Sequence, residues 1–270
     1  MVTNNKKELD HTFCICAYKE SLYLEECVKS LMEQNRKSYI LMVTSTPNEY
    51  IQSIADKYQI PMIVNEGEGG ITQDWNFGLK QVKTRYATIA HQDDVYLKEY
   101  ADTICTMMEQ EKKPLIAFSD YYEIRNGVRV HDTRMLKIKR IMLFPLRFKL
   151  FWKSKFVRRR ILSIGDPICC PAVTFCLDQI PQPIFQNGFR SCEDWEAWEM
   201  ISRKKGSFLY TAKPLMCHRI HEESATTAII QDQARAEENF IMYCKFWPKG
   251  IARLINHFYN KSEKSNDLGS

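Results

Sequence analysis

Asp93 and Asp94 close the stretch 86–94, an apolar run of strand length that ends abruptly in acid as His91-Gln92-Asp93-Asp94. Two carboxylates at the end of a strand suit a divalent cation carrying a phosphate. Open α/β sheets bind ligands beyond the carboxyl ends of their strands, and hard cations take oxygen ligands. Alone the pair does not decide, because acids also cap helices and residues 97–111 are expected to form one just downstream. Residues 191–200 hold Glu193, Asp194, Glu196 and Glu199. Ser191 is the expected cap there and the acids complement the helix dipole, yet there are more carboxylates than capping needs. Residues 217–224 bring His218, Arg219 and His221 together, and Arg219 with either histidine has the chemistry to neutralise a diphosphate leaving group.

The elements that must position these groups follow from periodicity. Residues 12–17 and 39–45 are short apolar runs, and between them Leu22, Leu24, Cys27, Val28, Leu31 and Met32 give a helical stripe. The alternation continues with helix at 49–58, strand at 62–65, helix at 72–82 and strands at 86–91 and 115–119. This predicts an α/β fold, a mostly parallel Rossmann-like sheet flanked by helices. Asn126-Gly127 predicts a tight hairpin between 121–125 and 128–131, where the doubly wound pattern stops. Residues 165–171 read as a turn-rich loop before a strand at 172–177, and C-terminal helices are expected at 229–246 and 251–258. The expected organisation is a domain over 1–228 and a helical extension with a polar tail over 229–270.

Composition bounds the setting. An apolar content of 44% over 270 residues is enough for a sizeable core. The ten cysteines lack paired metal-ligand spacing, and Cys14, Cys16, Cys27 and Cys176 sit in apolar surroundings, so a reducing cytoplasm is expected. No apolar run reaches the roughly 18 residues of a membrane span, which predicts a soluble or peripheral chain. Residues 134–160 carry eleven Lys or Arg and no Asp or Glu, leaving 27 basic against 33 acidic residues elsewhere. Phe148, Phe151 and Trp152 are interleaved with that charge, a mixture suited to an anionic membrane surface, with Arg158, Arg159 and Arg160 as further contacts. Pro145 should interrupt any helix there. A solvated connecting segment packed on the core is the bland alternative, and nucleic acid is not expected as a partner.

In order and spacing, these motifs resemble an inverting family 2 glycosyltransferase of the GT-A fold, over residues 12–226. The resemblance rests on residues 12–20, on Trp75-Asn76-Phe77-Gly78, on His91-Gln92-Asp93-Asp94, on Glu193-Asp194 and on Arg219-Ile220-His221. It implies a nucleotide-diphospho-sugar donor bordered by Ala17, Tyr18, Lys19 and Glu20, with Asn76, Gln92, Arg219 and His221 also on the donor side. It implies Mn²⁺ or Mg²⁺ on Asp93, supported by Asp94, and Asp194 as the base that deprotonates a saccharide or lipid-linked acceptor. Cell-surface polysaccharide or glycolipid synthesis at the inner face of the plasma membrane is the expected setting.

Two departures qualify the resemblance. His91 stands where many relatives have the first Asp of an Asp-x-Asp motif, which leaves open whether it binds metal. Residues 43–46 lack the acids that often contact the nucleotide base, which leaves the nucleotide open. A nucleotidyltransferase and a non-catalytic nucleotide-sugar-binding subunit stay as alternatives; the first should carry a Gly-rich phosphate loop that residues 17–20 lack, and intact Asp93 and Asp194 count against the second.

Overall fold

Nearly every side chain of β1 (His11–Cys16) and β4 (Tyr86–His91) is buried, as expected of strands covered on both faces, and the two pair in parallel at the centre of the sheet. The structure, a computed structural model, describes residues 9–221 and 234–267. β2 (Tyr39–Thr44) and β3 (Met62–Val64) extend the sheet in parallel beyond β1. The crossovers are α1 (Leu24–Met32), α2 (Glu49–Lys57) and α3 (Ile71–Gln81). Asn48 starts α2 by accepting from Ile51 N at 2.9 Å. Gly78 lets α3 lie directly on the sheet, since a Cβ there would collide with Cys14 Sγ and stand 3.1 Å from Val43 Cγ2.

Beyond β4 the sheet becomes mixed. β8 (Val173–Cys176) runs antiparallel between β4 and β6 (Pro114–Arg125). β9 (Ser207–Ile220) lies parallel to β6, and β5 (Val95–Tyr96) closes the edge antiparallel to β9. The parallel arrangement expected from the alternating elements therefore holds for β1 to β4. Antiparallel pairings enter with β8, inserted between β4 and β6, and with the hairpin after β6 and the β5 edge. Asn126 and Gly127, at φ 50° and 76°, make the hairpin from β6 into β7 (Val128–Val130). The two short strands expected at 115–119 and 121–125 are one strand of 12 residues, bulged between Ser119 and Tyr121. α4 (Tyr100–Glu109) lies inside the expected 97–111.

In the basic stretch, α5 (Arg134–Leu143) gives way at Pro145 to 3₁₀ turns at Phe144–Arg147 and Lys149–Phe151, followed by α6 (Lys155–Leu162). Four of the expected membrane contacts are corrected here. Trp152 is buried and donates Nε1–H to Leu146 O, and Phe151 is half-buried against the core. Arg158 is buried over the Phe208 ring and donates to Ser202 O and Gly206 O at 2.9 and 2.6 Å and to Lys204 O. These carbonyls follow α7 (Glu193–Ser202), so Arg158 is a clamp on that helix end. Arg159 pairs with Glu199 at 2.6 Å. Arg160 stacks over Trp247 and Phe156, and Phe148 stays exposed. A charge run without local acids is neutralised in part by acids from distant elements, which sequence spacing does not reveal.

The second described segment forms α8 (Ala234–Cys244) and α9 (Lys249–Asp267). Residues 229–233 of the expected first C-terminal helix lie outside the described residues. Trp247 Nε1 donates to Ser163 O at 2.7 Å, tying this region to the end of α6. The expected cap of α7 is also corrected: Cys192 occupies the N-cap, while Ser191 donates Oγ–H to Glu238 Oε2 at 2.6 Å. All ten cysteines are free thiols, and no described helix is long and apolar enough to cross a membrane.

Candidate active site

Beyond the carboxyl ends of β1 and β4, the structure gathers residues from four distant parts of the chain. His91 is the last residue of β4, and Asp93 and Asp94 occupy the turn into β5. Asp94 is fully buried, takes Arg219 N–H at 2.9 Å and meets His218 Nδ1 at 3.0 Å. It therefore anchors β9 to the site from beneath. Asp93 Oδ2 meets His221 Nε2 at 2.9 Å, and its backbone carbonyl accepts from Arg219 Nε at 2.9 Å.

These contacts set the local electrostatics. Burial pushes the Asp93 carboxyl upward, but the neighbouring imidazoles of His91 and His218 and the hydrogen bond to His221 outweigh it and hold the group below the usual carboxylate range. Burial lowers His218, and the neighbouring Asp94 more than reverses that. His91 is pushed down by burial. Its ring stacks on Trp75 with centroids 5.2 Å apart, and its buried Nε2 has no hydrogen-bond partner. Ligand atoms of His91, Asp93 and Asp94 lie within 4.8 Å of one another, and among the described residues they alone form such a group. An orphaned imidazole nitrogen beside two carboxylates is a donor set that fits a divalent cation.

The donor-side expectations divide. Gln92 holds the loop after β1 from both sides, accepting from Tyr18 N at 2.9 Å and donating to Tyr18 O at 3.0 Å. Lys19 takes φ 52° and donates its N–H to Thr46 Oγ1 at 2.7 Å, while Tyr18, Lys19 and Glu20 are exposed at the cleft rim and Ala17 is buried beneath them. Asn76 is a strut: Oδ1 accepts from Ile184 N and Phe185 N, both at 3.1 Å, and Nδ2 donates to Phe185 O at 2.8 Å. Arg219 is nearly buried over the Tyr23 ring, and its Nη2 pairs with Glu26 Oε2 at 2.6 Å. Its guanidinium is thus fastened to α1 and to the Asp93 turn. Of the sequence span that carries the resemblance, residues 222–226 lie outside the described residues.

Asp194 sits in the first turn of α7 and accepts Trp195 N–H at 2.7 Å. Its neighbour is Asp166, in the loop after α6, whose carboxyl interacts electrostatically with that of Asp194 and accepts from Ile168 N at 3.0 Å. Burial raises both carboxyls, and the charge of Asp194 raises Asp166 further. Lys139 of α5 and Arg235 act on Asp194 as cations, and Lys139 donates to Tyr121 OH at 3.0 Å. Glu193 is pushed up to about 7 by burial. Glu196 and Glu199 are engaged elsewhere, with Lys245 and with Arg159. The sequence reading missed Asp166, Lys139 and Glu26. Asp166 carried one signal, a lone acid in a Gly- and Pro-rich loop; the other two carried none.

The Glycosyl transferase family 2 model matches residues 12–177. Among solved structures, S. aureus TarS 1-349 in complex with UDP-GlcNAc aligns at a TM-score of 0.64 and 15% identity, over 92% of this chain and 70% of that one. The mannosyltransferase PcManGT from Pyrobaculum calidifontis, in complex with GDP-Man and Mn²⁺, aligns at 0.61 and 12%, over 94% and 71%. Glucosyl-3-phosphoglycerate synthase from Mycobacterium tuberculosis, with Mn²⁺ and UDP-glucose, aligns at 0.61 and 10%, over 88% and 79%. At such identities the likeness is one of fold, and the fold is GT-A. No curated protein sequence matches the chain.

Proposed function

The chain belongs to glycosyl transferase family 2, and from that premise we propose that it transfers a sugar, with inversion, from a nucleotide-diphosphate donor to the hydroxyl of a saccharide or lipid-linked acceptor. The observation that carries this reading is the division of one cleft into a compensated acidic group at Asp93 and a desolvated carboxyl pair at Asp194 and Asp166. Sugar transfer needs both: relief of charge on the departing diphosphate, and removal of a proton from the attacking hydroxyl.

Asp93 and His91 would hold a divalent cation, with Asp94 behind them; Mn²⁺ accompanies the nucleotide sugar in two of the similar structures. When bound, the cation offsets charge on the diphosphate. The histidines around Asp93 keep it anionic without it, and Arg219 adds positive potential while orienting the turn. Asp194, in the first turn of α7, accepts the acceptor proton as the hydroxyl attacks. A raised pKa makes it a stronger base once ionised, and burial is what raises it. No covalent intermediate on the protein is needed for an inverting displacement. Residues 1–228 would form the transferase domain and 229–270 its helical extension. The setting would be cytoplasmic and membrane-peripheral, in synthesis of a cell-surface polysaccharide or glycolipid.

A thermal-shift panel of nucleotide sugars with and without Mn²⁺ identifies the donor, and nucleoside-diphosphate release is then followed with and without acceptor. Metal-dependent stabilisation by at least one donor, with release that rises on adding acceptor, is the expected result. A panel in which no nucleotide sugar shifts the melting temperature removes the reading.

A further inference from the structure

One face of the molecule is apolar, basic and uncovered. Along α5, Ile138 and Ile141 point to solvent, and the three-residue spacing carries the same side on to Phe144. The Phe144 and Phe148 rings follow at 5.7 Å, and Phe148 rests at 6.4 Å on the half-buried Phe151. Exposure is 74% at Ile141, 53% at Phe144, 52% at Phe148, 82% at Leu150 and 73% at Phe156. Single exposed apolar side chains need no explanation, but a connected ridge of them marks an interaction surface.

The charge around the ridge selects its partner. Arg134, Lys137, Arg147, Lys149, Lys153 and Lys155 are exposed beside it. Two acids face this set from neighbouring segments, Asp132 at 3.7 Å from Lys137 and Glu111 at 3.1 Å from Lys153. The balance stays positive. Pairing the ridge with its copy on a second chain would set cation against cation, whereas an anionic lipid surface accepts both the cations and the apolar side chains.

The ridge also backs onto the cleft. The inward side of α5 places Lys139 on Tyr121 and Arg140 on Asp120 at 2.7 Å, and Met142 lies against Gly165, next to Asp166. Lys139 of this same helix also acts on the charges of Asp166 and Asp194. We propose that α5, the 3₁₀ turns and the start of α6 dock on an anionic lipid surface, so that the Asp194 side of the cleft meets acceptors carried on lipid. The acceptor class rests on the transferase reading above; the docking does not.

Vesicle co-sedimentation tests the docking, with phosphatidylcholine alone and with added phosphatidylglycerol, at low and high salt. Wild-type protein is expected to pellet with the anionic vesicles only and to be released by salt. Phe148→Ser with Leu150→Ser, and separately Arg147→Gln with Lys149→Gln, should each weaken binding by about tenfold or more. All four side chains are exposed, and unchanged far-UV circular dichroism together with an unchanged donor-induced thermal shift verifies that fold and donor site survive. Equal recovery with neutral and anionic vesicles, or binding that neither double variant weakens, overturns the proposal. So does a concentration-dependent dimer that Phe148→Ser with Leu150→Ser abolishes, since the ridge would then be covered by a second copy. Loss of the donor response in wild type would count against the transferase reading alone.

Discussion

Asp93 and Asp194 are the same residue type in the same cleft, yet their surroundings drive them in opposite directions. Around Asp93 the fold collects His91, His218 and His221, so desolvation is outweighed and the carboxylate is kept charged. Around Asp194 burial is deep enough to outweigh the Trp195 N–H and the nearby Lys139, Arg235 and His91, so desolvation prevails and the proton is retained to higher pH. A charged carboxylate can hold a cation. A carboxyl with a raised pKa is a better proton acceptor once ionised. Environment, not residue identity, separates the two proposed roles.

The largest effect expected from breaking this division is at Asp194. Asp194→Asn should lower turnover by roughly 10²-fold or more, the usual contribution of a general base, while calorimetric donor affinity is kept. Near-normal turnover in a folded Asp194→Asn variant would move the base to Glu193. Next comes the opposite pole: Asp93→Asn should weaken Mn²⁺-dependent donor binding by roughly 10- to 100-fold, by analogy with the loss of groups that support a metal site. Titration calorimetry with and without Mn²⁺ reads this directly, and an unchanged metal dependence would take Asp93 out of the site.

A subtler variant sharpens the contrast without abolishing either pole. In Asp166→Asn the second titrating carboxyl is gone and an amide N–H is available to the Asp194 carboxylate, so the two-step titration of the pair should become a single step. The kcat profile should lose the step that belongs to Asp166, with donor affinity unaffected; an unchanged profile leaves Asp166 a purely structural residue. The smallest expected effect is on stability. Glu193, raised by burial to about 7 in the folded protein, favours the fold most below its unfolded pKa, and that contribution is lost as pH rises through about 7. Glu193→Gln should therefore flatten the decline of melting temperature between about pH 4.5 and 7, the window set by the ordinary Glu pKa and the raised one. A decline as steep as in wild type would show that Glu193 is not its source.

The half of the fold that sequence periodicity described well is the half with local rules. Strands β1 to β4 and helices α1 to α3 alternate with turns whose residue types mark the boundaries, and Asn126-Gly127 announced its hairpin. The second half was harder because β6 and β9 are long, bulged strands whose pairing is set by partners far along the chain. Asn76 and Gly78 show the same limit at single residues: their motif was visible, but their work is bracing residues 184–185 and admitting α3 against Cys14.

By itself the sequence determined the order of elements, the acids at the end of β4 and at the start of α7, and the excess of positive charge at 134–160. Hydrophobic period, turn chemistry and charge runs act over a few residues and can be read along the chain. Only the tertiary structure decided which acid is compensated and which is desolvated, because His221 meets Asp93 across 128 residues of sequence and His218 meets Asp94 across 124. It also decided that Arg158 clamps a helix end inside the protein while Phe148 and Leu150 face solvent. Burial and long-range partners set the free energy of a charge, and neither exists until the chain has folded.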